Sequence, residues 1–380
     1  MKHPFFFLLT LSVLVFLTSC RSASDTTMQA IVTIDSLMQV QFPQEGPAAA
    51  IAILQGDSVL MMQAYGIADM PTQTPATTAT LFCLASISKQ FTATAILQLC
   101  EQGKMSLHDP VRTYFPQLIQ PIWDGVEVWH LLAHTSGIPD ARAHYDHSFK
   151  LTATDDEALS YLDTLTWRRF MQGEAYEYIN PTFVMAGKII EQVSGEEFAA
   201  YMRQHLFEPA GMSHSFYFDA KADDPLHDTN APQCVAHGYT YTDSVWQEFD
   251  YGEETFYATR PDGALYCSVE EFVQWEKALR NGSLLGETTI AQAWTPQTKV
   301  TGSPYSTYNV RENTYYGLGW FIEPATNTTR TVIYHTGENG GFHNIAARYP
   351  DSNTLVVILS ARPDWDQYTL LQEVEAMLKL

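Results

Sequence analysis

Three short segments of the chain carry residue types that can do covalent chemistry. In Ser86-Ile87-Ser88-Lys89, a hydroxyl and an amine stand three residues apart. Positions i and i+3 share a helix face, so on a helix the two side chains project together. A serine hydroxyl is a poor nucleophile until a base takes its proton, and a desolvated lysine can be that base. The run from Gln90 to Gln102, with Phe91, Ala93, Ala95, Ile96, Leu97, Leu99 and Cys100, is apolar on most faces and predicts a buried helix. Ser86 would stand in its first turn, where free N–H groups and the positive dipole end favour developing negative charge. Tyr178-Ile179-Asn180 precedes a second helical run, Phe183 to Val193, and a tyrosine there can share a proton with Lys89. His335-Thr336-Gly337 ends a predicted strand and meets Asn339-Gly340-Gly341. Glycine at a strand end lets a ligand approach the backbone closely. Each segment also has a plain reading: a capped core helix, a buried tyrosine with a satisfied hydroxyl, a glycine turn.

Other signals compete less well. His134-Thr135-Ser136-Gly137 is a second His–Ser pair and is read as a structural loop. His144, Asp146 and His147 are metal-ligand types, but they fall in a loop-like region with no fourth partner nearby, so no metal is expected. No cofactor motif is present. G-x-S-x-G and H-E-x-x-H are absent, which removes support for α/β-hydrolases and zincins. The aromatic-rich stretch Tyr239 to Tyr257 is expected mainly to pack.

The elements that must position these residues follow from periodicity. Met28 to Val40 has helical spacing. Ala48 to Leu54 and Val59 to Gly66, joined by Gln55-Gly56-Asp57-Ser58, read as a β-hairpin. Tyr316 to Glu323 with Thr331 to His335, and Phe342 to Tyr349 with Leu355 to Ser360, read as two more. Asp366 to Leu380 closes with a helical pattern. Residues 81 to 290 are mostly helical pattern and long loops. The expected class is therefore α/β (α+β): one antiparallel sheet built from about 30–80 and 291–380, with a helical region, about 81–290, inserted.

The order Ser-x-x-Lys, Tyr-x-Asn, His-Thr-Gly resembles the serine β-lactamase-related family, which includes class C β-lactamases, D-alanyl-D-alanine carboxypeptidases, D-aminopeptidases and family VIII carboxylesterases. Flanking segments agree: Leu131-Leu132-Ala133-His134-Thr135-Ser136-Gly137, Leu206-Phe207-Glu208-Pro209-Ala210-Gly211-Met212 and Gly317-Leu318-Gly319-Trp320. The resemblance covers roughly 30 to 362. It implies a β-lactamase/transpeptidase-like fold, with a five-stranded antiparallel sheet, a helical domain and the site between them. It implies that Ser86 is the acylated nucleophile and that Lys89 and Tyr178 move the proton. Asn180 would bind substrate, and His335, Thr336 and Gly337 would line the strand that pairs with it. The backbone N–H groups of Ser86 and Glu338 would form the oxyanion hole. The chain departs from the true lactamases and peptidases at His335, where they carry Lys. A histidine near its reference pKa is mostly neutral at pH 7, which favours esters or amides without a carboxylate. Below about pH 6.5 an imidazolium would restore some preference for carboxylate-bearing substrates. The complete Ser86, Lys89, Tyr178 set favours an active serine acyl hydrolase on a small-molecule or peptide substrate. The alternative is a penicillin-recognising binding or sensor lipoprotein without turnover. Peptidoglycan stem peptide, D-amino-acid peptide, lipid ester and small ester all fit, and the oligomeric state is not readable.

Composition bounds the setting. The chain has 380 residues, 46% hydrophobic and 17% charged, which suits a sizeable core and excludes disorder. Lys+Arg number 21 against 43 Asp+Glu, a net charge of −22, with no basic run, so nucleic acid is not an expected partner. An apolar run from Phe5 to Leu17 follows Lys2 and His3. It is too short to span a bilayer, which takes about 20 residues, and reads as a signal-peptide core. Leu17-Thr18-Ser19-Cys20 resembles a bacterial lipobox, so residues 1–19 read as a removed peptide and Cys20 as a lipidated N-terminus. Residues 20–29 read as a tether and 30–380 as the catalytic domain, exported and held at a membrane only by its lipid. Of the remaining cysteines, Cys83 and Cys100 would lie too far apart to pair, because the intervening helix is about 21 Å long.

Overall fold

The computed structural model describes residues 23–140, 146–221, 234–249, 257–305, 310–327 and 329–380. Its centre is an eight-stranded, wholly antiparallel sheet. In chain order the strands are β1 (Ala49–Gln55), β2 (Ser58–Tyr65), β3 (Thr298–Lys299), β4 (Tyr315–Tyr316), β5 (Phe321–Glu323), β6 (Val332–Asn339), β7 (Phe342–Tyr349) and β8 (Thr354–Ser360). They lie in the order β3-β4-β5-β6-β7-β8-β1-β2, so the C-terminal strand β8 pairs with the N-terminal β1. Five strands have seven or eight residues, the number the family resemblance implies, whereas the single strand read at Tyr316 to Glu323 is broken after Tyr316 into β4 and β5, which pair with each other. Three short strands, β3 to β5, extend the sheet at the β6 edge.

The sheet has a core on each face. In β1, Ala50, Ala52 and Leu54 face the helical region, while Ala49, Ile51 and Ile53 face the opposite core. Strands covered on both sides read as continuous apolar runs, which is how Ala48 to Leu54 looks in the sequence. The second face is covered by two helices, α1 (Ala23–Gln41) through Ile34 and Met38, and α5 (Gln367–Leu378) through Leu370, Leu371 and Val374. Helix α1 begins at Ala23, so most of the segment read as a tether is helical instead. Its inner face packs on the sheet.

The inserted region is built on α2 (Ser88–Glu101), which is buried from Ser88 to Leu99, and on α3 (Asn180–Ser194) packed against it. A helix buried all round belongs in a core. The region is not purely helical. Phe82–Cys83, Leu265–Cys267 and Phe216–Tyr217 form a small three-stranded sheet, and Tyr239–Thr242 pairs with Val245–Glu248 as a hairpin. A further helix, α4 (Val269–Arg280), is tied to the large sheet by the buried Glu276–Arg348 pair, with Arg348 Nε 2.9 and 3.0 Å from the two carboxylate oxygens. Cys83, Cys100, Cys234 and Cys267 are all free thiols. The apolar run and Cys20 lie outside the described residues, as does His144. Among the described residues no helix is long and apolar enough to cross a membrane, and no group of three or more His, Cys, Asp and Glu could hold a metal ion.

Candidate active site

The nucleophile segment is held from both sides. Ala85–Ile87 form a short 3-10 turn that runs into α2, so Ser86 sits one turn ahead of the helix proper. Ala85 adopts φ +48°, the left-handed region that costs a side-chain-bearing residue about 1–2 kcal/mol. Such strain persists only where the surroundings impose it. Here the Leu84 N–H donates to the Leu265 carbonyl (2.7 Å), and the Leu265 N–H donates to Ser88 Oγ (3.2 Å). From the sheet side, Asn344 Nδ2 donates to the Cys83 carbonyl (2.9 Å) and to the Gly337 carbonyl (3.4 Å). Gly337 lies against the Leu84 backbone and the Ala85 methyl, where an added Cβ would overlap the Leu84 carbonyl oxygen. Strand β6 therefore rests directly on the turn that carries Ser86.

Lys89 is completely buried behind Ser86. Its Nζ is 2.9 Å from Ser86 Oγ and 2.7 Å from the Asp262 carbonyl oxygen, which fixes the amine's direction. The Tyr178 ring covers it, 4.9 Å from Nζ to the ring centre, and Phe183 lies 5.7 Å away. Ser86, Tyr178, Asn180, His335, Thr336 and Glu338 all line one cavity of about 370 Å³, at whose base Asn180 begins α3. Phe249 and Tyr257 line it too, so the aromatic stretch contributes cleft wall as well as packing. Strand β5 pairs with β6 only at Val332, Ile333 and Tyr334, leaving the β6 edge from His335 onward open to this cavity.

Two histidines beside the site are locked neutral. A carbonyl can only accept, so His335 Nδ1–H donates to the Thr336 carbonyl (2.6 Å). His335 Nε2 is then the acceptor, and the buried Tyr316 hydroxyl donates to it (3.0 Å). Burial, then the Lys89 charge, push the His335 imidazole down to about 3. The titration near 6.5 expected from sequence does not survive this burial. His134 is also fully buried and held well below its ordinary range, by burial first and then by the Lys89 charge. Its Nδ1 accepts from the Ile179 N–H (3.1 Å), and its carbonyl accepts from the Glu177 N–H (3.0 Å). Those two bonds bracket Tyr178, and the imidazole lies 4.3 Å from the Tyr178 ring.

The loop His134–Gly137 is thus structural, as expected, but its histidine sets the position of a site residue. His134, Tyr316, Asp262 and Asn344 are the site-building residues that sequence reasoning did not pick out. Ser136, the competing hydroxyl, is buried and accepts from the Ile138 N–H (3.3 Å).

The Beta-lactamase family model matches residues 33–376. The chain belongs to that family. A penicillin-binding protein of Bacillus subtilis (strain 168) is 27% identical over 340 residues, covering 85% of this chain and 70% of its own length. The crystal structure of a penicillin binding protein from Bacillus halodurans is similar, with a TM-score of 0.74, 25% identity, and coverage of 90% of this chain and 98% of that one. The D-amino acid amidase from Ochrobactrum anthropi shares the fold, with a TM-score of 0.70, 20% identity, and coverage of 94% and 97%. By family and fold the chain belongs to the serine β-lactamase-fold hydrolase family, with a large antiparallel sheet and helices.

Proposed function

We propose that the chain is a serine acyl hydrolase that turns over esters or amides lacking a free carboxylate beside the scissile bond. The observation that carries this reading is the 2.9 Å approach of the buried Lys89 amine to Ser86 Oγ at the floor of an open cavity. Ser86 Oγ would attack the substrate carbonyl carbon as Lys89, acting with Tyr178, takes its proton. The oxyanion would develop toward the N–H groups of Ser86 and Glu338, and preorganised donors of this kind supply a large share of catalysis. Collapse would expel the alcohol or amine, which takes the stored proton and leaves an acyl-Ser86. Water would then attack, using the same pair as base, and free the acid. Asn180 and the open edge of β6 would hold the acyl group. The solved amidase of the same fold supports an amide as well as an ester substrate. A screen of p-nitrophenyl esters, amino-acid amides and cephalosporins tests the reading. Turnover of an ester or amide with acylation at Ser86 is expected. Stoichiometric acylation by penicillin with no turnover of any class would favour the sensor reading instead.

Selectivity is set by the neutral His335. A wild-type preference for a neutral ester over a cephalosporin is expected to stay flat from pH 8 to pH 6, because His335 gains charge only near pH 3. His335→Lys is expected to move the ratio about ten- to a hundredfold toward the carboxylate-bearing substrate, the worth of one charge-assisted hydrogen bond. Matched kcat/KM values at the two pH values check this. Efficient cephalosporin hydrolysis by the wild type at pH 8 would overturn it.

The export reading belongs with this proposal. A lipid on Cys20 would hold the enzyme at a membrane surface. Cys20→Ala is expected to move the protein from the membrane to the soluble fraction, and a soluble wild type with an unmodified N-terminus would reject the anchor.

A further inference from the structure

The cavity has a charge of its own. Among the described residues, its lining includes one carboxylate, Glu338, two histidines, and no lysine or arginine. His335 is locked neutral by Tyr316 and Thr336. His343, directly across the ladder from Glu338 on β7, is held below its ordinary pKa by burial. Glu338 is exposed to the cavity. Among the described residues, the ionisable groups near it are Tyr368 of α5, a phenol pushed up to about 12 mainly by burial, and Asp364, which faces His343 and whose carboxylate is taken up by Arg362, itself outside the cavity wall. The Arg362 charge is balanced by Asp364, so none of these leaves a free positive charge facing Glu338. Lys89 lies behind Ser86, sealed from solvent.

Aromatic faces complete the picture. Phe249 and Tyr257 line the same cavity. The Asn339 side chain holds the Tyr257 backbone, Oδ1 accepting from its N–H (3.1 Å) and Nδ2 donating to its carbonyl (3.4 Å). Lys150 Nζ lies 5.6 Å from the Tyr257 ring, but Lys150 is not part of the cavity wall. A carboxylate with aromatic walls is a site for an organic cation: the acid supplies a charge-assisted hydrogen bond and the rings a favourable quadrupole.

We propose that the Glu338 carboxylate recognises a protonated amine on the substrate, so that the preferred substrates are aminoacyl esters or amides with a free ammonium group. The proposal rests on the hydrolase reading above and narrows it. The placement limits where the amine can be. In that reading the Glu338 N–H holds the oxyanion, so its own carboxylate lies within one side chain's length of the scissile carbonyl. An amine on the α or β carbon of the acyl group fits, and one at the far end of a long chain does not. A substrate carboxylate at the same place would meet Glu338 with no lysine or arginine of the described cavity wall to offset it, which agrees with the selectivity argued for His335.

The experiment compares alanine p-nitroanilide, of either hand, with its N-acetyl derivative. At pH 7 the free amine is expected to raise kcat/KM about ten- to a hundredfold. Glu338→Gln is expected to bring the ratio of the two substrates close to one. The ratio is the readout, so any general damage to the oxyanion strand cancels. In the wild type the advantage is expected to fade above about pH 8, where an α-amine loses its proton. In Glu338→Gln no such fading is expected. If the anilides turn over too slowly, alaninamide and N-acetylalaninamide are compared as protectants of Ser86 against a fluorophosphonate, with the same order expected. A wild type in which Ser86 labels but the amine gives no advantage overturns the proposal alone, as does a ratio unchanged by Glu338→Gln. A wild type in which Ser86 never labels overturns the hydrolase reading and this proposal with it.

Discussion

Replacing Ser86 with alanine is expected to lower kcat/KM by about 10⁴- to 10⁶-fold and to abolish fluorophosphonate labelling, with the fold intact. The magnitude follows from removing the atom that stands in the cavity beside the Lys89 amine, placed to form the acyl bond. Nucleophile and base act as one unit in such sites, so their losses do not add. Lys89→Met keeps most of the side-chain volume in a fully buried position and removes the proton acceptor 2.9 Å from Ser86 Oγ. Its loss should approach that of Ser86→Ala, and the double variant should be no worse than the poorer single. Lys89→Arg should not rescue, because a guanidinium stays protonated. The buried Ser136 cannot take over. Intact-mass labelling and steady-state kinetics on the four variants decide the matter. Labelling that survives in Ser86→Ala, or losses that multiply in the double variant, would sink the assignment.

How much of this was readable beforehand depended on sequence distance. Ser86 and Lys89 are three residues apart, and helical spacing alone brings them together. The long hairpin strands were legible because turns such as Gln55-Gly56-Asp57-Ser58 punctuate continuous apolar runs. Strands β3 and β4 were not, because two-residue strands carry no period and exist only where the sheet edge accepts them. The start of α1 was missed because Ser and Thr near a terminus read equally as a tether or as a helix start, and packing on the sheet decides between them. His134 was read correctly as a loop residue, but its hold on Tyr178 spans 45 residues of sequence and involves the backbone of Ile179. No local pattern encodes that bond. The His335 imidazole was expected near its reference pKa because sequence gives residue type, whereas burial and the Lys89 charge are properties of the fold. One usable signal was overlooked: Tyr315-Tyr316 ahead of Gly317 places hydroxyls two sheet positions from the His-Thr-Gly strand.

The second large effect is expected at Gly337, which never touches the reacting proton. Its Cα packs against the Leu84 carbonyl, and a Cβ there would overlap that oxygen and come within 3.3 Å of the Ala85 methyl. Both obstacles are held firmly. Asn344 bonds the Cys83 and Gly337 carbonyls at once, and its Oδ1 accepts from the Ser360 N–H (3.1 Å), anchoring the set to β8. No flexible side chain can swing away, so Gly337→Ala must push β6 off the nucleophile turn. The proposed oxyanion donors stand one on each side of that contact, at Ser86 and Glu338. Separating them is expected to cost about 10²- to 10³-fold in kcat, comparable to losing one oxyanion donor, with a smaller change in KM. Overpacking should also lower stability by about 1–3 kcal/mol, read as a reduced urea midpoint. Fluorophosphonate should still find Ser86, only more slowly, because Ser86 and Lys89 remain on one helix turn. Kinetics measured well below the unfolding midpoint separate the two effects. A Gly337→Ala enzyme with kcat within about threefold of wild type would show that the strand and the nucleophile turn need not touch for catalysis.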